Sequence, residues 1–125
     1  MDGTLVYIAH PISGDVEKNI QSVLKICREV HLESNDIIPF APYITTLQYL
    51  KEEVSEERIL GLGANTMLFE RRVMDELWLC GDRISKGMTQ EILLCIEHGI
   101  HIRCYNQDLY NDYVAFLETL GIDFN

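Results

Sequence analysis

The sequence predicts an α/β protein built on one doubly wound parallel sheet, and three observations support this class. Short apolar runs alternate along the chain with segments whose apolar residues recur at helical spacing. Two of these runs, at residues 5–9 and 77–80, are continuously apolar, as expected for strands covered on both faces. The 125 residues, 47% of them hydrophobic, suffice for one domain with a buried core. We therefore expect a single domain, residues 1–125, whose four to five strands follow the order 2-1-3-4, as in flavodoxin-like or Rossmann-like folds.

The first half of the chain contains the two strands that begin this sheet. Residues 5–9 form the first strand, which ends at His10 and Pro11, and a helix follows from Asp15. Residues 36–40 form a short second strand, and Pro39 within it indicates an edge position. Residues 41–53 show mixed periodicity, which predicts an irregular loop with up to one helical turn and a candidate lid.

The second half repeats the alternation of helix and strand. A helix begins at Ser55 and continues to about Arg72, and we expect Gly61 and Gly63 to mark a break or a close approach in it. Residues 75–80 form a central strand, and Ser85 caps a helix that ends near His98 before Gly99. Residues 100–105 form the fourth strand, and a closing helix follows, with apolar residues between positions 109 and 120.

The composition of the chain limits which partners the protein can bind and in which cellular compartment it is expected. No stretch is long and apolar enough for a membrane span, and residues 1–9 lack the pattern of a signal peptide, so we expect a cytoplasmic protein. The four cysteines lie within apolar patterns and lack metal-ligand spacing, which predicts small buried residues and no metal site. We also expect no cofactor. The net charge of −10 would repel a nucleic-acid polymer, although a helix N-terminus can still bind one phosphate.

The predicted topology also selects a place for chemistry. In an open parallel sheet, ligands bind at the carboxyl ends of the strands where the strand order reverses. With the order 2-1-3-4, this crevice lies between strands one and three, where residues 10–15 and 81–87 form the loops. Both loops contain glycine, hydroxyl and charged side chains. Topology and composition thus predict one site where these two loops meet.

The first loop has two interpretations. Pro11, Gly14 and either Ser13 or Asp15 suit an ordinary strand-to-helix turn with a capped helix. Alternatively, Ser13, Gly14 and the helix N-terminus bind a phosphate or a sugar hydroxyl. His10 either contacts a phosphate or base or, as the more conservative interpretation, is a residue of the turn.

Within the second loop and the helix that follows it, Glu91 is the strongest candidate for a functional residue. Gly87, four residues earlier, shares its helix face and leaves the carboxylate approachable, and the apolar run of residues 92–96 follows directly. Most glutamates are merely exposed, but the position of Glu91 at the switch point favours a functional role.

Taken together, three motifs resemble the nucleoside 2-deoxyribosyltransferase-like superfamily, and most closely its small phage or bacterial domains of unknown function. They are the run from Tyr7 to Gly14, the run from Asp75 to Trp78, and the run from Gly81 to Met88 with Glu91. The resemblance spans roughly residues 5–105. It implies that Glu91 is the nucleophile, that Tyr7 orients it, and that Asp82 contacts the sugar or base. In members that act on nucleoside monophosphates, serines in these two loops bind the 5′-phosphate, and the matching residues here are Ser13 and Ser85. For Tyr7, a position in the core is an equally good interpretation, because its strand is apolar.

The resemblance implies displacement at the anomeric carbon of a nucleoside or nucleotide, by an N-glycosidase or a 2-deoxyribosyltransferase. The alternatives are a non-catalytic module that binds a nucleotide or an NAD-derived signal in the same crevice, and a small interaction protein. Arg58 and Asn65 can reach the crevice or a partner, but ordinary surface roles are more common for such residues. The resemblance also implies a homo-oligomer, with the helix of residues 55–72 as the candidate interface.

Overall fold

The computed structural model describes residues 3–122 and contains one four-stranded, all-parallel sheet in the order β2-β1-β3-β4. The strands are β1 (Thr4–Ala9), β2 (Ile37–Phe40), β3 (Glu76–Leu79) and β4 (His101–Cys104). The helices are α1 (Val16–Glu33), α2 (Pro42–Leu47), α3 (Ser55–Glu70), α4 (Lys86–His98) and α5 (Tyr110–Thr119), with a 3-10 turn at Gln107–Leu109. The predicted fold class and strand order are confirmed, and β2 occupies an edge of the sheet.

The sheet separates two apolar cores because successive side chains of a strand point to opposite faces. Val6 and Ile8 pack with Val23 of α1 on one face. Tyr7 and Ala9 pack on the other face with residues of α3, α4 and α5. Helices therefore cover both faces, and the two central strands with apolar runs, β1 and β3, are buried or half-buried, while β4 at the edge alternates between exposed and half-buried residues.

Capping residues fix where the helices that flank the site begin and end. Asp15 caps α1 by accepting a hydrogen bond from the Lys18 amide at 3.2 Å. Ser85 caps α4 in the same way through the Met88 amide, also at 3.2 Å. Gly99 ends α4 with a left-handed backbone, φ 70°, as the sequence predicts.

Helix α3 differs from the sequence-based expectation. The prediction of a break at Gly61 and Gly63 is wrong, because α3 continues from Ser55 to Glu70. Neither glycine marks a close approach of another backbone: an added Cβ at Gly61 would make an ordinary van der Waals contact with the Leu50 side chain at 3.5 Å, and Gly63 has open space around it. The segment predicted as an irregular loop contains the six-residue helix α2, whose Pro42 occupies the first turn, where proline is tolerated.

Candidate functional site

The centre of the candidate site is a buried tyrosine at the middle of β1. Tyr7 has no exposed surface, and its ring packs against Phe40, Tyr43 and Phe69 with centroid distances of 5.7, 5.7 and 5.0 Å. Burial and the nearby Glu91 carboxylate raise the pKa of Tyr7 well above its ordinary value, so its hydroxyl keeps its proton and acts as a donor.

That hydroxyl joins β1 to α3 and α4. It donates to Oε2 of Glu91, which lies in the second turn of α4. Since a tyrosine hydroxyl has one proton to donate, the Asn65 side-chain amide of α3 acts as donor to the tyrosine oxygen, at 2.9 Å. Three elements thus fix one chain of hydrogen bonds, Asn65 to Tyr7 to Glu91.

The Glu91 carboxyl is strongly perturbed by this position. Burial raises its pKa from an ordinary value of 4.5 to about 7, and the hydrogen bonds from Tyr7 and Asn65 act in the opposite direction. Near neutral pH the group therefore exchanges between its neutral and ionised forms. A carboxylate with this property suits either nucleophilic attack or proton transfer.

Glu91 faces a cavity of about 400 Å³ between α2, α3 and α4, which we call the carboxylate cavity. Two basic side chains, Arg58 and Lys86, line it together with the acidic Glu52 and Glu57. Ser85 and Gly87 also line it, and an added Cβ at Gly87 would meet nothing nearer than the Ser85 Oγ at 3.9 Å. The opening beside Glu91 that the sequence predicts from Gly87 is therefore present.

A second depression, of about 700 Å³, lies on the other side of the loop that follows β1. We call it the switch-point groove, because the loops after β1 and β3 form its walls. Gly14 and Asp82 line this groove and not the carboxylate cavity. His10 and Ser13 line both. The predicted single crevice is therefore divided in two.

The structure thus brings together only some of the residues that the sequence predicts for the site. Tyr7, Ser85, Gly87 and Glu91 meet at the carboxylate cavity, and His10 and Ser13 lie at its boundary. Asp82 is separate from them: its side chain is 85% exposed and lies 3.4 Å from Arg83.

Several predicted ligand-binding groups already have structural partners. The Ser85 hydroxyl caps α4, whereas at Ser13 it is the backbone carbonyl, and not the hydroxyl predicted to bind phosphate, that accepts from Arg83 at 3.1 Å. The buried His10 ring lies 2.9 Å from the Ser22 hydroxyl and 2.6 Å from the Pro11 carbonyl, which fits its interpretation as a turn residue. These contacts tie the first loop to α1 and to the second loop.

Two contributors to the site were missed or underrated from the sequence. Asn65, judged a surface residue, contacts Tyr7, and its signal was its position beside Gly61 on one face of α3. Tyr43 of α2 lines the cavity and donates to the Ile8 carbonyl at 2.5 Å, which links the predicted lid segment to β1.

Among residues 3–122, no group of three or more His, Cys, Asp or Glu side chains has the arrangement of a metal site. Across the same residues, no helix combines the length and apolarity that a bilayer crossing requires.

Comparison of the sequence with models of protein families identifies the family to which the chain belongs. The family model described as a domain of unknown function (DUF7768) matches residues 4–105. The chain belongs to this family. The matched region of this DUF7768 protein includes the whole sheet, the carboxylate cavity and the hydrogen-bond chain from Asn65 to Glu91, and it includes the lining of the switch-point groove except Asn106. No curated protein and no solved structure shows a significant match to it.

Proposed function

We propose that this DUF7768 protein cleaves the N-glycosidic bond of a nucleoside or nucleotide, as a hydrolase or a 2-deoxyribosyltransferase, with Glu91 as nucleophile. The observation that carries the proposal is the pairing of a protonated, buried Tyr7 with the Glu91 carboxylate at an open cavity. This pairing fixes the rotamer of the nucleophile, as the resemblance to the nucleoside 2-deoxyribosyltransferase-like superfamily implies.

The size and charge of the carboxylate cavity support this class of substrate. Small-molecule sites commonly enclose roughly 300–1,000 Å³, and the cavity of about 400 Å³ accommodates a nucleoside. Arg58 and Lys86 supply positive charge for a 5′-phosphate. Glu52 and Glu57 supply acceptors for sugar hydroxyls or for the amino group of a base.

The proposed reaction has two steps. In the first, a Glu91 oxygen forms a bond to C1′ as the bond from C1′ to the base nitrogen breaks, and the departing nitrogen takes both electrons and then a proton. In the second, water or another base attacks C1′ and Glu91 leaves as a carboxylate. Asp82 faces the switch-point groove, so in this proposal solvent in the open cavity supplies the proton to the base.

Base release measures this activity directly. Purified protein is incubated with nucleosides and their 5′-monophosphates, and free base is separated by chromatography. We expect release from at least one substrate, reduced about 1,000-fold or more in Glu91→Gln, because the amide is a poor nucleophile. Glu97→Gln is the matched control, since Glu97 lies on the same helix with its side chain 70% exposed. Equal turnover by wild type and Glu91→Gln would rule out the mechanism.

The alternative, a binding module without turnover, has a different signature. A ligand then raises the melting temperature of wild type and of Glu91→Gln alike, while no base appears. Such a result would replace catalysis with recognition in the same cavity.

A further inference from the structure

His10 is a buried titratable side chain that has no part in the reaction proposed for Glu91. Only 7% of its surface is exposed. Its Nδ1 lies 2.6 Å from the Pro11 carbonyl oxygen, and its Nε2 lies 2.9 Å from the Ser22 hydroxyl. Because a carbonyl oxygen only accepts hydrogen bonds, Nδ1 carries a proton. In the neutral ring Nε2 is therefore an acceptor, and the Ser22 hydroxyl donates to it.

Ser22 directs its hydroxyl toward this ring from the second turn of α1. Hydroxyls within helices commonly donate to the carbonyl one turn earlier, as Thr66 does to the Leu62 carbonyl at 2.9 Å. The hydroxyl of Ser22 is instead paired with a possible base. Ser22 is half-buried, and both members of the pair line the switch-point groove of about 700 Å³. A small molecule in that groove therefore has access to the serine oxygen.

The His10 ring is held in place from two directions. An added Cβ at Gly81 would lie 3.3 Å from both Cδ2 and Nε2 of the ring, so the backbone of the second loop packs against it. The Pro11 carbonyl holds the ring through Nδ1. A hydroxyl within hydrogen-bond distance of a base, with the base oriented by a third group, is the arrangement that activates a serine as a nucleophile. Here the Pro11 carbonyl takes the orienting place that a carboxylate has in Ser-His-Asp sites.

The groove also supplies positive charge. Lys18 lies four residues before Ser22, so the two share a face of α1, and Arg83 lines the groove from the second loop. Positive charge near a nucleophile stabilises the negative charge that develops on a carbonyl oxygen under attack. Asp15 and Asp82 line the groove as well, so its walls carry both signs of charge.

We propose that Ser22 and His10 form a second reactive centre, which hydrolyses a small carboxylic ester in the switch-point groove. Ser22 Oγ forms a bond to the ester carbonyl carbon, and its proton passes to Nε2 of His10. The bond to the alkoxy oxygen then breaks with its electron pair, and His10 gives the proton to the departing alcohol. Water attacks the acyl-serine, and its proton passes through His10 to Ser22 as the carboxylic acid leaves. The proposal is independent of the glycosidase activity, because Glu91 lines the other cavity.

A fluorophosphonate probe tests whether Ser22 is activated, because an activated serine oxygen displaces its fluoride and becomes phosphonylated. The labelled protein is digested with trypsin and mapped by mass spectrometry. Cleavage after Lys18 and Lys25 releases residues 19–25, in which Ser22 is the one hydroxyl side chain. We expect the adduct on this peptide in wild type and its loss in Ser22→Ala. Ser55→Ala, at an exposed serine outside the groove, is the matched control and should label normally.

Turnover is measured with 4-nitrophenyl acetate, as the rate of wild type minus that of Ser22→Ala. His10→Gln distinguishes a base from a structural partner, because the glutamine amide accepts a hydrogen bond from Ser22 but does not take up a proton. We expect both labelling and turnover to fall about 100-fold or more in this variant. Circular dichroism melting verifies its fold, and the comparison of wild type with Ser22→Ala decides the proposal even where His10→Gln does not fold.

Glu91→Gln should label and turn over the ester at the wild-type rate, which separates this centre from base release. Absence of the adduct on residues 19–25 of folded wild type would overturn the proposal. Equal ester turnover by wild type and Ser22→Ala, or equal labelling of wild type and folded His10→Gln, would overturn it as well.

Discussion

At the scale of single residues, Tyr7 links the fold to the chemistry of the site. Its ring fills the core beneath α3 and α4, while its hydroxyl stabilises the ionised form of a carboxyl that burial destabilises. Removing only the hydroxyl separates these two roles, because phenylalanine keeps the ring.

We expect Tyr7→Phe to raise the pKa of Glu91 above its value of about 7. A hydrogen bond to a charged group contributes about 1.5–3 kcal/mol, which corresponds to roughly one to two pKa units. Titration of 13C-labelled glutamate carboxyls by NMR measures the shift, with the Glu91 signal assigned from its loss in Glu91→Gln. Tyr49→Phe, at a tyrosine that is 66% exposed, is the control and should leave the signal in place. A Glu91 pKa that stays constant or falls in Tyr7→Phe would contradict this account.

The sequence identified Glu91 and Tyr7 individually, from the topology of the sheet and from a family resemblance. It did not identify Asn65 as their partner, because residues 58 positions apart in the chain meet only through the packing of α3 on the sheet. For the same reason it grouped Asp82 with Glu91, since both follow β3. The structure separates them because the loop and the helix that follow β3 face different cavities.

At the scale of elements, the loops after β1 and β3 are held against each other at Gly81. Its backbone has φ 90°, which favours glycine, and an added Cβ would lie 2.7 Å from Cδ of Pro11 and 3.3 Å from the His10 ring. Gly14 in the other loop has a comparable φ of 100° but nothing within 4 Å of an added Cβ. An alanine at either position would strain the backbone, but only an alanine at Gly81 would also collide with neighbouring atoms. Comparing the two substitutions therefore distinguishes backbone strain from steric conflict.

We expect Gly14→Ala to lower the free energy of unfolding by about 1–2 kcal/mol through backbone strain alone. Gly81→Ala should cost a further 1–3 kcal/mol or so, because Pro11 is rigid and buried and one of the two loops must shift. Urea denaturation of both variants under the same conditions measures the difference. Equal costs at the two positions would mean that the loops separate easily.

The ends of helices could be predicted where residues close in the sequence determine them. The caps at Asp15 and Ser85 and the stop at Gly99 are local, and the structure contains all three. The glycines of α3 were misread because glycine lowers helix propensity by only about 1 kcal/mol, which tertiary packing readily overcomes. Such packing, as that of Phe69 in the core, joins residues that are distant in the sequence, so the local pattern does not report it.

At the scale of the whole molecule, the buried carboxyl of Glu91 couples protonation to folding. Its pKa is about 7 in the folded chain against an ordinary value of 4.5, so the folded state binds more protons between these values. The contribution of this group to stability is therefore fully present below about pH 4.5 and is lost as the pH rises through 7. The molecule thus tolerates an ionised Glu91 at the expense of stability, and the proposed role as nucleophile requires this ionised form.

Glu91→Gln removes this dependence because an amide does not titrate. The difference in unfolding free energy between the variant and wild type cancels the other titrating groups and isolates Glu91. We expect this difference to shift in favour of the variant by up to about 3 kcal/mol between pH 4.5 and pH 8, since one pKa unit corresponds to about 1.4 kcal/mol. Urea denaturation at half-unit pH intervals measures it, at one protein concentration so that self-association contributes equally. A difference in unfolding free energy that does not change with pH would show that ionisation of Glu91 does not destabilise the fold. A difference that shifts in favour of wild type as the pH rises would mean that the folded chain stabilises the charged form of Glu91.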